Sequence, residues 1–485
     1  MNGYFTENPD KRVIRMISVM LMLAFLTSIL LSGVSCACTA VYVGKEASSN
    51  GTYMLARTND LWGTDYPCRF DIAERVENAP GRTVKGANGF TWQLPDTTYK
   101  YTAIPLCAST GYGYEASAAG NECGLAITGS VTAYICDAAA KADPVVSDGA
   151  AEESLTQLLA ASCKNAREAV RLAAEIIDTT GNAEQNIYMF ADKEEAWYME
   201  MYTGHQYAAV KMPDDMVSVF GNQFMLEHVD PEKDEAVVSP GLFELPEKEG
   251  FAVYDEDGRM NLFRTYSGGA PKDYSNLRTW RGHMLLAAST AGEYETGKMY
   301  PLFFKPDREI AVRNIFRLLR DRYEGTEYCP ETSGRTDVRP ISIERASSVH
   351  VLEVDPSLPD NMSVMTWAAM SQAEFSVFVP LSNAETALNA AYAKNTEQSG
   401  QDLSMAYYNF KNLNTAAASD RDRLAANVRG ETEAFENYEV MRWNTLKRRI
   451  RKGDIPPGEA VKCINSFCKE MQTSALGTAK LLSQS

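Results

Sequence analysis

Histidine is scarce in this chain. Four occur among 485 residues, at positions 205, 228, 283 and 350, and none falls in a His-Glu-x-x-His pattern. The ten cysteines, at 36, 38, 68, 107, 123, 136, 163, 329, 463 and 468, show no zinc-type spacing. Both features argue against a catalytic metal; pairing among the cysteines stays open. Positive charge is also short: 47 Lys and Arg stand against 64 Asp and Glu, a net charge of −17. A nucleic-acid binder needs a basic face, so that class is set aside. Internal repeats and low-complexity blocks are lacking. So are long apolar runs, with one exception.

That exception is Met16 to Leu31, broken only by Ser18, Thr27 and Ser28 and preceded by Lys11, Arg12 and Arg15. It has the length of a signal-peptide core and is short for a membrane span. Ser35 and Ala37 place small residues at the −3 and −1 positions of a cleavage before Cys38. Residues 1–37 therefore read as a removable leader, and the expected location is secreted or in the cell envelope. No stable membrane association is expected once the leader is gone.

Cleavage there would leave a thiol and a free α-amine on one residue. The amine has an unperturbed pKa of about 7.7–8.0 and serves as the base for its own thiol. After Cys38 the pattern is extended, with Thr39, Val41 and Val43 on one face and Cys38, Ala40 and Tyr42 on the other. A turn around Asn50-Gly51 and a second strand, Tyr53 to Arg57, complete a hairpin. A two-residue turn sets Cys38 opposite about residue 63. A longer loop sets it opposite Arg57 to Asp60. Either register brings Arg57 and Asp60 close to the thiol, the arginine favouring thiolate and the carboxylate balancing the amine.

Cys-Thr at a processed start, a glycine-containing loop and then Ala56-Arg57-x-x-Asp60 resembles the N-terminal-nucleophile hydrolases. The likeness is to the C69 dipeptidase family, relatives of penicillin V acylase and bile salt hydrolase. It continues in order through Asn121-Glu122-Cys123-Gly124, Ala196-Trp197-Tyr198-Met199-Glu200, Thr203-Gly204-His205-Gln206, Gly221-Asn222-Gln223-Phe224, Asn276-Leu277-Arg278-Thr279-Trp280-Arg281-Gly282, Arg339-Pro340-Ile341 and His350. The resemblance implies Cys38 as nucleophile, Arg57 and Asp60 as its positioning pair, Asn222 as a side-chain donor to the oxyanion, and Arg278 as the arginine shared with the acylases. It implies no metal or cofactor. The chain departs from the acylases at Thr128-Gly129-Ser130-Val131, where their second oxyanion asparagine has no counterpart.

Further strands are expected near 124–131, 186–190, 196–201, 215–220, 349–354, 363–367 and 375–380. Helices are expected over 154–161, 166–177 and 312–323. The fold class is α+β, two packed sheets with helices outside, the four-layer αββα arrangement that the resemblance implies. Residues 226–275 are polar and proline-punctuated and read as a surface excursion that would serve as a substrate lid. The chain divides into three parts: a leader at 1–37, the hydrolase domain at 38–380, and a helical region at 381–485 built from helices near 384–393, 402–413, 420–449 and 459–480. That tail is read as packing on the core or mediating homo-oligomer formation.

These readings converge on an exported cysteine dipeptidase that cleaves small peptides through a Cys38 thioester. Two alternatives stand beside it: an amidase of the acylase type, and a catalytically silent exported binding protein. Glu122, Glu200 and Arg278 are the expected partners of a dipeptide's charged ends, with Arg278 either holding the carboxylate or supporting Cys38.

Overall fold

The computed structural model describes residues 38–484, apart from 112, 113, 233, 234 and 399. The leader at 1–37 and the bond before Cys38 lie outside the described residues. Two antiparallel sheets form the frame. The first runs in the order Val217–Phe220, Ala40–Val43, Tyr53–Asp60, Ala346–Val354, Val364–Met370, Val379–Ser382. The second runs Ala236–Val238, Tyr207–Lys211, Ala196–Met201, Asn186–Ala191, Ala126–Thr132, Ala116–Asn121, Tyr101–Pro105, Asp71–Ala73.

Period-2 alternation sorts the strand residues between two apolar layers. Ala40, Tyr42, Tyr53, Leu55 and Leu352 point into the core between the sheets, where they meet Ala126, Ile187, Met189 and Tyr198. Their neighbours Val41, Val43, Met54 and Ala56 point the other way, onto Ile315, Phe316 and Leu319 of the helix Val312–Leu319. Ile127, Tyr188, Phe190 and Trp197 face the helices Glu152–Ser162 and Ala166–Thr180. Helix, sheet, sheet, helix is the result, the expected αββα layering.

Local signals place the helix ends. Asn165 caps Ala166–Thr180 by accepting the Glu168 N–H at 2.9 Å, and Gly181 ends it at φ 75°. The helix runs three residues past the expected stop, because Asp178-Thr179-Thr180 stays helical until the glycine takes a positive φ. Elsewhere the expectations need correction. Residues 226–275 are no loose surface excursion: Leu242, Leu262, Phe263 and Tyr266 are buried, and Tyr266 stacks on Tyr202 at 4.4 Å between ring centroids. Only Ala390–Ala393 of the expected 384–393 helix forms, because Asn465 holds the Thr386 backbone at 2.9 Å and Asn389 caps the short helix beyond it. The nine described cysteines are all free thiols.

The C-terminal helices Ala406–Ser419, Arg421–Arg451 and Pro457–Leu482 pack on the core. Trp443 stacks on Phe467 beneath the first sheet. Lys447 reaches Glu353, on the strand Ala346–Val354, at 2.9 Å with both groups buried. Arg320 and Glu436 form a second buried pair through two nitrogens, at 2.8 and 2.6 Å. Losing one partner of such a pair costs about 3–5 kcal/mol, since the other charge is left buried alone.

Candidate active site

Pairing fixes the register that the turn left open. Ala40 lies opposite Arg57 on one side and Phe220 on the other, and Thr58 N–H donates to Thr39 O at 2.9 Å. This is the longer-loop register. The connection 44–52 is held out by backbone bonds to Asp214 and Ile310, so Asn50-Gly51 does not close a two-residue hairpin. Cys38 precedes Ala40 by two and shares its face, at the end of the layer between the sheets.

Its side chain meets one cation. Arg57 Nη1 lies 3.0 Å from Cys38 Sγ, and the thiol donates to Ser130 O at 3.3 Å. The guanidinium is held by the carbonyls of Ser130, Gly129 at 2.6 Å and Ser117 at 3.2 Å. These carbonyls are within its reach because Ala126–Thr132 pairs with Ala116–Asn121 only as far as Thr128 and Ala118, and its register with Asn186–Ala191 shifts between Thr128 and Val131, so that Gly129 and Ser130 stand outside both ladders. His350, opposite Arg57 in the neighbouring strand, stays neutral: burial and the Arg57 charge hold its pKa well below the usual range.

The backbone nitrogen of Cys38 is held separately. It donates to Asn222 Oδ1 at 3.0 Å. The same oxygen accepts from Arg278 Nη2 at 2.9 Å and Arg339 Nη1 at 3.0 Å. Two guanidiniums donating to one atom identify it as the oxygen. Asn222 Nδ2 donates to Thr132 O at 2.9 Å. The side chain expected to donate to an oxyanion thus presents its acceptor to Cys38.

Arg278, fully buried, donates through Nη1 to Cys38 O at 2.5 Å and to Thr39 Oγ1 at 3.0 Å. Of the two roles weighed for it, the geometry places it at support of Cys38. Burial and the adjacent Arg339 bring its pKa down to about 9, so it remains a cation at neutral pH. Asp60 does not touch the Cys38 nitrogen. It pairs with Arg339 and accepts from Thr58 Oγ1 at 2.8 Å, and Thr58 Oγ1 in turn accepts the Thr39 N–H at 2.9 Å.

Burial raises the Cys38 thiol above its ordinary range; Arg57 pulls it down, but less strongly. Burial likewise raises Asp60 against the opposing charge of Arg339.

The geometry therefore brings Cys38, Arg57, Asp60, Asn222 and Arg278 together. It adds Arg339, which stands in one of the sequence motifs but had no role to go with it. Two other expectations fail. Glu122 accepts from Lys100 N at 3.0 Å and Arg75 at 3.1 Å. It lies five residues along the chain from Ser117, roughly 16 Å of strand. Glu200 is buried and committed to Tyr198 at 2.5 Å, Tyr202 at 2.7 Å and the Leu226 N–H at 3.2 Å. Both carboxylates are taken up by partners other than Cys38. Among the described residues no cluster of three His, Cys, Asp or Glu side chains is arranged to hold a metal ion.

Known proteins resemble this chain along most of its length. The family model of peptidase family C69 matches residues 37–434. A probable dipeptidase B of Streptococcus pyogenes serotype M1 is 29% identical over 431 residues, 86% of this chain and 85% of that protein. A probable dipeptidase of Salmonella dublin is 31% identical over 367 residues, 74% of this chain and 83% of that protein. A solved conjugated bile acid hydrolase variant from Clostridium perfringens is 11% identical, covering 69% of this chain and 89% of that one, with a TM-score of 0.28, too slight a likeness to bear on the fold.

Proposed function

This chain belongs to peptidase family C69, and from that premise we propose that it is an exported dipeptidase whose nucleophile is the thiol of an N-terminal Cys38. The observation that carries this reading is the separate seating of the two halves of Cys38. The thiol sits on Arg57 at 3.0 Å and the nitrogen on Asn222 at 3.0 Å. The family match begins one residue earlier, at 37.

In this reading the leader is removed before Cys38, and its nitrogen becomes an amine still oriented by Asn222. The amine takes the thiol proton as sulfur attacks the scissile carbonyl carbon. The carbon–nitrogen bond then breaks, the leaving amino group receives that proton, and a thioester remains. Water, deprotonated by the same amine, cleaves the thioester and restores the thiol. Arg57 supplies positive charge beside the sulfur as it ionises. Asp60 acts at one remove, by fixing Arg339 and Thr58. No metal or cofactor has a part in these steps.

The test joins two measurements on one preparation. Intact mass of protein purified from the cell envelope or medium should correspond to a chain beginning at Cys38. The same protein should release free amino acids from dipeptides. An active protein that retains Cys36 or an earlier residue would overturn the mechanism, because an acylated nitrogen is not a base.

A further inference from the structure

A peptide bond presented to Cys38 carries its own N-terminal ammonium a short distance away. In a dipeptide that nitrogen lies about 2.5 Å from the scissile carbonyl carbon, across two bonds of about 1.46 and 1.52 Å. The group that receives it must lie on the sulfur side of Cys38. The other side, around the Cys38 nitrogen, is filled by Asn222, Arg278 and Arg339.

On the sulfur side the contact is Ser130. Its carbonyl accepts the thiol at 3.3 Å, while its hydroxyl donates to the Glu152 carboxylate. One residue thus joins the nucleophile to a carboxylate. Two more acids gather there. Glu115, 4% exposed, lies in the field of Glu152, Arg57 and Glu184. Glu184 Oε1 accepts the Glu152 N–H at 2.6 Å. Ser130 lies where the strand Ala126–Thr132 leaves both of its ladders, so its carbonyl reaches the thiol while its hydroxyl reaches Glu152.

Acids alone do not make a site. A second observation points the same way. Tyr188, 1% exposed, has its ring locked against Gly129, where an added methyl would fall 2.0 Å from a ring carbon. Its hydroxyl lies in the field of Glu152 and Glu184, beside Thr156, and neither hydroxyl completes a hydrogen bond. Asn186, 1% exposed and two residues before Tyr188 on the same strand face, leaves its Oδ1 without a partner as well. Buried polar atoms are rarely left this way, each costing about 1–3 kcal/mol. A buried tyrosine hydroxyl and a buried amide oxygen beside carboxylates are the complement of a small donor-rich cation. An ammonium offers three N–H donors.

We propose that Glu115, Glu152 and Glu184, backed by Tyr188 and Asn186, form the subsite for the free α-ammonium of the peptide substrate. The proposal rests on the dipeptidase reading above and deepens it, because it requires an unblocked N-terminus one residue from the scissile bond. Burial raises Glu115 well above the usual carboxylate range and Glu184 to about 8, and a bound cation would favour their ionised forms.

The test compares a dipeptide with its deaminated analogue, identical except that hydrogen replaces the α-amino group. Wild-type protein should prefer the dipeptide about ten- to hundredfold in kcat/KM, the range for a hydrogen bond to a charged group. Glu152→Gln and Glu184→Gln should each raise KM for the dipeptide while leaving the analogue nearly unchanged, collapsing the preference. Equal cleavage of both substrates by wild-type protein would overturn the subsite without any variant, and would leave the thiol peptidase reading standing. Equal losses on both substrates in the variants would make the acids structural and likewise overturn it. Cleavage of neither substrate by correctly processed wild-type protein would remove the dipeptidase reading and the subsite together.

Discussion

Asn222 Oδ1 lies 3.0 Å from the backbone nitrogen of Cys38, a residue 184 positions earlier in the chain. With Arg278 and Arg339 donating to the same oxygen, the side chain cannot rotate without breaking three bonds. In the proposed mechanism Asn222 therefore positions the nitrogen that acts as base. Asn222→Ala should lower kcat on the order of 10²-fold or more with little change in KM. Because the effect passes through the amine, the pH profile of kcat should also shift. An unshifted profile with reduced kcat would return Asn222 to an oxyanion role.

Cys38→Ala should abolish peptide hydrolysis with the fold intact, and Cys38→Ser should keep at most a trace. Thiol alkylators should inactivate and chelators should not. Burial raises the thiol pKa, so the thiolate fraction grows as pH rises above neutrality. Alkylation should accelerate over that same range. A rate flat between neutral and alkaline pH would show that Arg57 outweighs burial in the processed protein.

The donors of Arg278 go to Cys38 O, Thr39 Oγ1 and Asn222 Oδ1. Arg278→Lys keeps the charge and loses the planar fork. Hydrolysis of a dipeptide and of its C-terminal amide should therefore slow by the same factor. A selective rise in KM for the free acid would instead place Arg278 on the substrate carboxylate.

Glu200 links enzyme stability to pH. Burial lifts it to about 7 in the folded protein, against about 4.3 for an unperturbed glutamate. The folded state binds the extra proton, so its contribution is full below about pH 4.3 and is lost as pH rises through about 7. Glu200→Gln mimics the protonated form at every pH. The stability difference between wild type and variant, followed by urea unfolding, should move steadily against wild type from about pH 4.5 to about 7.5 and flatten beyond. A constant difference would mean that Glu200 is already ionised in the fold.

The hairpin and its neighbours were legible because alternation survives even where both strand faces are buried. Val41 and Tyr42 differ in which layer they enter, and that difference keeps the period of two. The register was not legible, since it depends on Asp214 and Ile310 holding the loop open. The strand Ala116–Asn121 escaped notice for a different reason. Ala-Ser-Ala-Ala-Gly-Asn has weak strand propensity, and its small residues are there for close packing: a methyl on Gly120 would fall 2.7 Å from Val364. The placement of Arg57 and Arg278 beside Cys38 followed from ordered motifs. Arg339 did not, because its partner Asp60 is 279 positions away and nothing local marks the pairing. The acids at 115, 152 and 184 were invisible for the same reason: they stand on separate segments that only the fold brings together.

The strand carrying Arg57 lies between Ala40–Val43 and Ala346–Val354, and Arg339 clamps Asp60 from just before the latter. Roughly three hundred residues separate the partners of this pairing, among the slowest kinds of contact for a chain to find. A ribosome that has delivered Cys38 has delivered no catalytic centre. Until residue 354 has emerged, the thiol lacks the wall behind Arg57 and the clamp on Asp60. Protein synthesis itself thus acts as the timer: the thiol has no complete setting until about three quarters of the 485 residues have been made.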